Sequence, residues 1–291
     1  MNEPEPIDQL DLFVANIVDV LPKSDIHSME YPLFAISSKP DTEIFRYEKA
    51  NGDFIEVIPS VRGRATIHDK DMLLYTFGQV AEAINRGHKP SRRLKVIAYD
   101  YLRSTNRGTD GRSYAAILDT LTRLRGTTFK TNIHKAEAKK GDVFGLIDSG
   151  TAVTDKNGRL EYLEIVLSEH LFNSITNHHI LTYNREYFKL RSPYDRRMYE
   201  LCRKHCGNQS MWEIGFEKLY DKFGVKSELR EFRRKIKELV KEQIVPDYFI
   251  EYQTAKQSGT IEKIFVYRDK DAFLKEQALK TTEKTENEPI L

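Results

Sequence analysis

Two hydrophobic periods alternate along the chain, and the order in which they alternate occurs twice. In "IDQLDLFVANIVDVLP" (residues 7–22), Ile7, Leu10, Phe13, Val14, Ile17, Val20 and Leu21 recur at helical spacing, and Pro22 is placed to end a helix. From 31 to 60 the signals turn strand-like. "EIFRYEKANGDFIEVIP" reads as a β-hairpin with Asn51-Gly52 at its turn. Helical patterns then cover 69–87, 91–106 and 112–126, the last with Ala116, Ile117, Leu121 and Leu124 as its apolar face. "TTFKTNI" predicts a strand, and 142–167 a long hairpin with Asn157-Gly158 at the tip.

The second pass begins after "NHHILTYNREYFKL". Helices are predicted over 192–207, opened by Pro193 and closed by Gly207, over 211–224, ended by Gly224, and over 227–245. A hairpin with "KQSG" at its tip follows, in which Tyr248, Ile250 and Tyr252 alternate. The polar stretch after residue 276 predicts disorder. Three helices followed by a β-hairpin is the winged-helix arrangement. The expected fold is therefore α+β, two tandem winged-helix domains. The expected boundaries are 1–27 for an acidic, helical N-terminal appendage, 28–180 for the first domain, 181–275 for the second and 276–291 for the tail.

Charge sharpens this picture. The 291 residues carry a net charge of only +2, but residues 1–30 have seven acids against Lys23, and 189–241 have fifteen Lys or Arg against eight Asp or Glu. In "SELREFRRKIKELVKEQIVPD" the apolar Leu229, Phe232, Ile236, Leu239 and Val240 run beside the basic Arg230, Arg233, Arg234, Lys237 and Lys241. A helix anchored on one side and positive on the other fits the major groove, about 12 Å wide. Its blander reading is a solvated face. With Lys226 and Ser227 before it and Lys256 and Gln257 at the hairpin tip, this helix is the main candidate for contact with double-stranded DNA. The equivalent helix of the first half is less basic. Arg107, Arg112, Ser113, Arg123 and Lys130 are its candidate DNA residues, and dimerisation is its other reading.

The stretches "MEYPLFAIS", "ATIHDKDMLLY", "YDYLRSTNRGTDGRSYAAILDTLTRLRGTTFKTNI", "LRSPYDRRMYEL" and "ELREFRRKIKEL" resemble the plasmid replication initiator protein A family over about residues 28–270. That family is related to initiators with tandem winged-helix domains. The resemblance implies binding to direct repeats (iterons) at a plasmid origin, opening of neighbouring AT-rich DNA, and recruitment of a host helicase, its loader or host initiator proteins. It also implies self-association as a dimer, with repression of the chain's own gene, and a C-terminal domain that is the main reader. The acidic N-terminal segment has no counterpart in it.

Composition narrows the alternatives. A 40% hydrophobic content supports real cores, and two cysteines make no disulfide framework. No run approaches the roughly 18 apolar residues of a membrane span, and the start lacks the pattern of a signal peptide. A cytoplasmic, bacterial, plasmid-associated protein with no membrane partner is expected. His178 and His179 are adjacent, which does not place two imidazoles on one strand face. Cys202, His205 and Cys206 lack a second cluster to complete a metal site. Asp69 and Asp71 read as helix caps and surface charge, and no phosphate-binding glycine loop of the G-x-x-x-x-G-K type occurs. No catalysis, cofactor or metal is expected. A transcriptional regulator without a replication role and a winged-helix interaction scaffold are the competing readings.

Overall fold

The computed structural model describes residues 12–37, 39–49, 51–133, 141–255, 257 and 259–286, and they fall into two compact units divided after Phe188. The first unit contains, in order, β1 (Leu12–Ala15), β2 (Lys23–Asp25), α1 (Ile26–Glu30), β3 (Phe45–Glu48), β4 (Phe54–Ile58), α2 (Lys70–Asn85), β5 (Arg93–Ile97), α3 (Ala98–Ser104), α4 (Gly111–Gly126), β6 (Thr128–Thr131), β7 (Asp142–Gly145), β8 (Ile147–Thr154), β9 (Leu160–Leu167), α5 (Glu169–Thr176) and β10 (Ile180–Thr182). One sheet has the order β1-β5-β9-β8, with β1 parallel to β5 and the other pairs antiparallel. A second, wholly antiparallel sheet has the order β3-β4-β6-β7. Leu94, Val96, Leu163 and Ile165 of the first sheet, Val57 and Phe129 of the second, and Leu73, Phe77 and Leu124 of α2 and α4 share one buried core.

The second unit contains α6 (Pro193–His205), β11 (Met211–Gly215), α7 (Phe216–Phe223), α8 (Leu229–Glu242), β12 (Phe249–Thr254), β13 (Ile261–Tyr267) and α9 (Lys270–Glu286). Its sheet has the order β11-β13-β12, all antiparallel. The fold is mixed α+β, and a connectivity is duplicated. In the first unit α2, β5, α3 and α4 lead to the hairpin β8–β9, after β6 and β7 intervene. In the second, α6, β11, α7 and α8 lead to β12–β13. In both, the strand after the first helix pairs with the last strand of the hairpin.

Four expectations need correction. Residues 12–15 form a strand, not part of a helix. Their register on β5 buries Ala15 completely, and Tyr75 Oη donates to the Ala15 carbonyl at 3.2 Å. The Gln79 side chain bonds both the N–H and the C=O of Ile17 at 2.9 Å, so backbone that a helix would satisfy is satisfied from α2. A Cβ on Gly78 would lie 2.5 Å from the Leu21 carbonyl, which is why a glycine sits inside α2. Residues 12–27 thus pack into the first unit. Residues 1–11 of the acidic segment lie outside the described residues.

Residues 93–97 and 211–215 are strands where helices were expected. In "RLKVI", Leu94 and Val96 are buried while Arg93 is exposed, an alternation of period two that the helical reading merged with the helix after it. Residues 181–188 fall in the first unit rather than the second, because β10 pairs with β2. Residues 276–286, expected to be disordered, lie in α9. The Asp269 side chain accepts from Ala272 N at the start of this helix, and Phe273 packs on Phe249 and Tyr267 at 4.6 and 5.2 Å.

Candidate nucleic-acid interface

α8 is held by its apolar face. Phe232, Ile236 and Leu239 are buried to 2% exposure or less. The Phe232 ring meets those of Phe223, Tyr220 and Phe216 at 5.0, 5.2 and 5.3 Å, so α7 and α8 share one aromatic cluster. Gly224, at φ +62°, caps α7 in the left-handed region and allows the short turn into α8. Ser227 lies in that turn, its carbonyl bonded by Tyr220 Oη at 2.7 Å and its hydroxyl 3.4 Å from Tyr194 Oη. Lys226 beside it is exposed.

The opposite face carries the basic residues. At 3.6 residues per turn, Arg230, Arg233, Arg234, Lys237 and Lys241 fall within an arc of roughly 100°. Arg230, Arg234, Lys237 and Lys241 are exposed, and Arg233 is half-buried. Their surroundings differ. Arg233 lies 5.2 Å over the Phe216 ring, and its Nε is buried without a hydrogen-bond partner. Arg234 is bonded to Glu231 one turn before it, at 2.5 and 2.9 Å, and to Glu238 one turn after it. Those bonds hold the Arg234 guanidinium well above its usual range and the Glu231 carboxyl below its own.

The hairpin is tied to this helix by a residue that sequence reading missed. Gln243 ends α8 in the left-handed region, at φ 50°. Its side chain donates to the carbonyls of Val240 and Ile250, at 2.7 and 2.5 Å, and accepts from Ile250 N at 3.1 Å. Nothing in the pattern "KEQIV" distinguishes such a glutamine from a solvated one. Gln257 is exposed at the hairpin tip, and Lys256 lies outside the described residues.

In the first unit the candidates separate. Arg123 clamps Asp69 through Nε and Nη2, at 2.7 and 2.8 Å, and Thr120 donates to the same carboxylate at 2.8 Å. Arg107 donates to Asp71 at 2.9 Å and to the His68 carbonyl at 2.6 Å. Asp69 and Asp71 are therefore buried anchors, not surface charge, and these two arginines spend donors inside the fold. Burial pushes the Asp69 carboxyl up, but the Arg123, Thr66 and Thr120 hydrogen bonds override it and the net shift is downward. Arg112 and Lys130 are exposed, with Lys130 4.0 Å from Glu56, and Asp110 caps α4 by accepting from the Ser113 N–H and hydroxyl, at 2.9 and 2.6 Å. Ala116, expected in the core, faces solvent.

The Cys202, His205 and Cys206 cluster is largely internal, and His178 is exposed. Cys202 and Cys206 are buried, burial pushes the Cys206 thiol up to about 11, and His205 stacks on Trp212 at 4.7 Å. Among the described residues no group of His, Cys, Asp or Glu could hold a metal ion, and no helix is long and apolar enough to cross a membrane.

The family model for replication initiator protein A matches residues 23–250. A putative replication protein of Wigglesworthia glossinidia brevipalpis is 39% identical over 260 residues, covering 88% of this chain and 94% of the relative. Two crystal structures of domains 2 and 3 of RctB share the fold at 15% identity. One has a TM-score of 0.59 over 80% of this chain and 94% of that one, and the other 0.51 over 81% and 94%.

Proposed function

The chain belongs to the replication initiator protein A family, and on that premise we propose that it is a non-enzymatic, sequence-specific DNA-binding protein that recognises repeated sites at a plasmid origin. The observation that carries this reading is α8, buried on one face through Phe232, Ile236 and Leu239 and basic on the other. The duplicated connectivity supports two winged-helix units, with α8 entering the major groove and β12–β13 lying along the neighbouring backbone. Arg230, Arg233, Arg234, Lys237 and Lys241 face the DNA, Lys226 and Ser227 lie at the entry to the helix, and Gln257 and Lys256 belong to the hairpin tip. In the first unit, Arg112, Ser113 and Lys130 remain for DNA, and α4 contributes the weaker contact. Opening of the origin, recruitment of a host helicase or loader, dimerisation and repression of the chain's own gene follow from the same reading. Its setting is the bacterial cytoplasm.

The test is replication of an origin fragment in cells. With the gene removed from the fragment, the chain supplied in trans should restore replication, and the Arg230→Ala/Lys237→Ala/Lys241→Ala variant should not. A chain that binds DNA and represses its own promoter but never restores replication would instead be a transcriptional regulator.

A further inference from the structure

The exposed surface of α8 divides into two rows of different character. Arg230, Lys237 and Lys241 form a row of exposed cations. Beside it, Glu231, Arg234, Lys235 and Glu238 form a closed set. Arg234 bonds both glutamates, and Lys235 Nζ is 3.4 Å from Glu238. Two cations and two anions leave that set neutral. About half of the Arg234 side chain and nearly half of each glutamate face solvent, so the set is not sealed against a partner.

The two rows suit different parts of a duplex. Phosphates reward unbalanced positive charge through counterion release, and a neutral set contributes nothing of that kind. Carrying two carboxylates toward a polyanion is unfavourable unless they meet donors. Base edges are neutral and present donors and acceptors side by side. Arginine matches guanine O6 and N7, and a glutamate accepts from the cytosine amino group. Arg234 stands in line with the cations, four residues after Arg230 and three before Lys237, so a duplex held by that row lies against the neutral set. Glu231 and Arg234 occupy the first half of α8, where a recognition helix meets base edges.

Resting on the DNA-binding reading above, we propose that Glu231 and Arg234 determine specificity by reading a G·C pair, Arg234 on guanine and Glu231 on cytosine, while Arg230, Lys237 and Lys241 hold phosphates. Glu238 and Lys235 keep the set neutral and position the Arg234 guanidinium.

The test is a binding selection from random duplex DNA with the full chain and two variants, together with the salt dependence of affinity for the selected site. Glu231→Gln keeps the shape and removes the acceptor charge. Arg234→Lys keeps the charge and removes the two-pronged donor. Each variant should lose its preference at one G·C position, by roughly tenfold or more, and keep the rest of the motif. The slope of log affinity against log salt should stay within about one of the wild-type value. A wild-type motif that survives both substitutions overturns this assignment alone. So does a Glu231→Gln variant with an unchanged motif and a steeper slope, because the glutamate would then only repel phosphates. A wild-type chain that selects no motif overturns the DNA-binding reading, and this one with it.

Discussion

Two carboxylates show how single residues hold this fold, and they have opposite pH signatures. Asp69 is 2% exposed and bonded to Arg123, Thr66 and Thr120. Arg123→Ala would leave that carboxylate buried without its cation, at a cost of about 3 kcal/mol, measured by denaturant unfolding. Because the folded-state value of Asp69 is depressed, its contribution is present above the unfolded carboxyl range and is lost as pH falls through the folded value. Asp195 behaves the other way. Burial, with Glu242 adding to it against Ser192 and Lys235, raises its carboxyl to about 6 from a usual 3.8. The folded chain then binds the extra proton, so stability falls as pH rises from about 4 to 6 and changes no further above that. Asp195→Asn should flatten this part of the unfolding profile and stabilise the chain at pH 7. A profile unchanged by the substitution would contradict the assignment. None of this was legible in the sequence: Asp69 lies 54 positions from Arg123, and short-range spacing favours the capping reading.

At the scale of elements, α8 is legible and the strands before the short helices are not. The apolar and basic stripes of α8 are both set by the 3.6-residue repeat, and the structure keeps them on opposite faces. β5 and β11 are five residues each and abut a helix without a break, so a short strand is absorbed into the longer helical pattern. β1 failed because Phe13 and Ala15 fit either period, and only the pairing with β5 and the bonds from Gln79 decide it. The aromatic cluster makes α8 sensitive at one point. Phe232→Ala should cost about 3–5 kcal/mol in unfolding free energy, since four rings from α6 and α7 close around it. Gln243→Ala removes two bonds from the end of α8 to Ile250 of the hairpin and one to Val240 within the helix. It should lower stability by roughly 1–3 kcal/mol and increase hydrogen exchange at Ile250 N more than at α7 amides.

For the whole molecule, the duplicated order of helices and hairpin was legible before the strands that complete it, because hairpin turns and helix stops are local signals. The second sheet of the first unit was not. Its hairpin β3–β4 was anticipated, but its pairing with β6 joins segments about 75 residues apart, which no local pattern encodes. If, as proposed, both units enter a major groove, the site should span roughly 20 base pairs, from a spacing of about 34–36 Å between successive grooves on one face. A selected motif confined to a single groove would leave α4 without a reading role.

The proposed DNA binding rests on the exposed face of α8. The direct measurement is the affinity of the full chain for its selected duplex as a function of salt, with and without Arg230→Ala, Lys237→Ala and Lys241→Ala. All three residues are exposed on α8, so the triple variant should fold as the parent does. The slope of log affinity against log salt should fall by about 0.9 for each phosphate contact removed, close to 3 in total, with affinity weakened for every sequence alike. A triple variant with the parent's slope and affinity would contradict the account, because the basic row would then be a solvated surface and DNA would have to be held elsewhere.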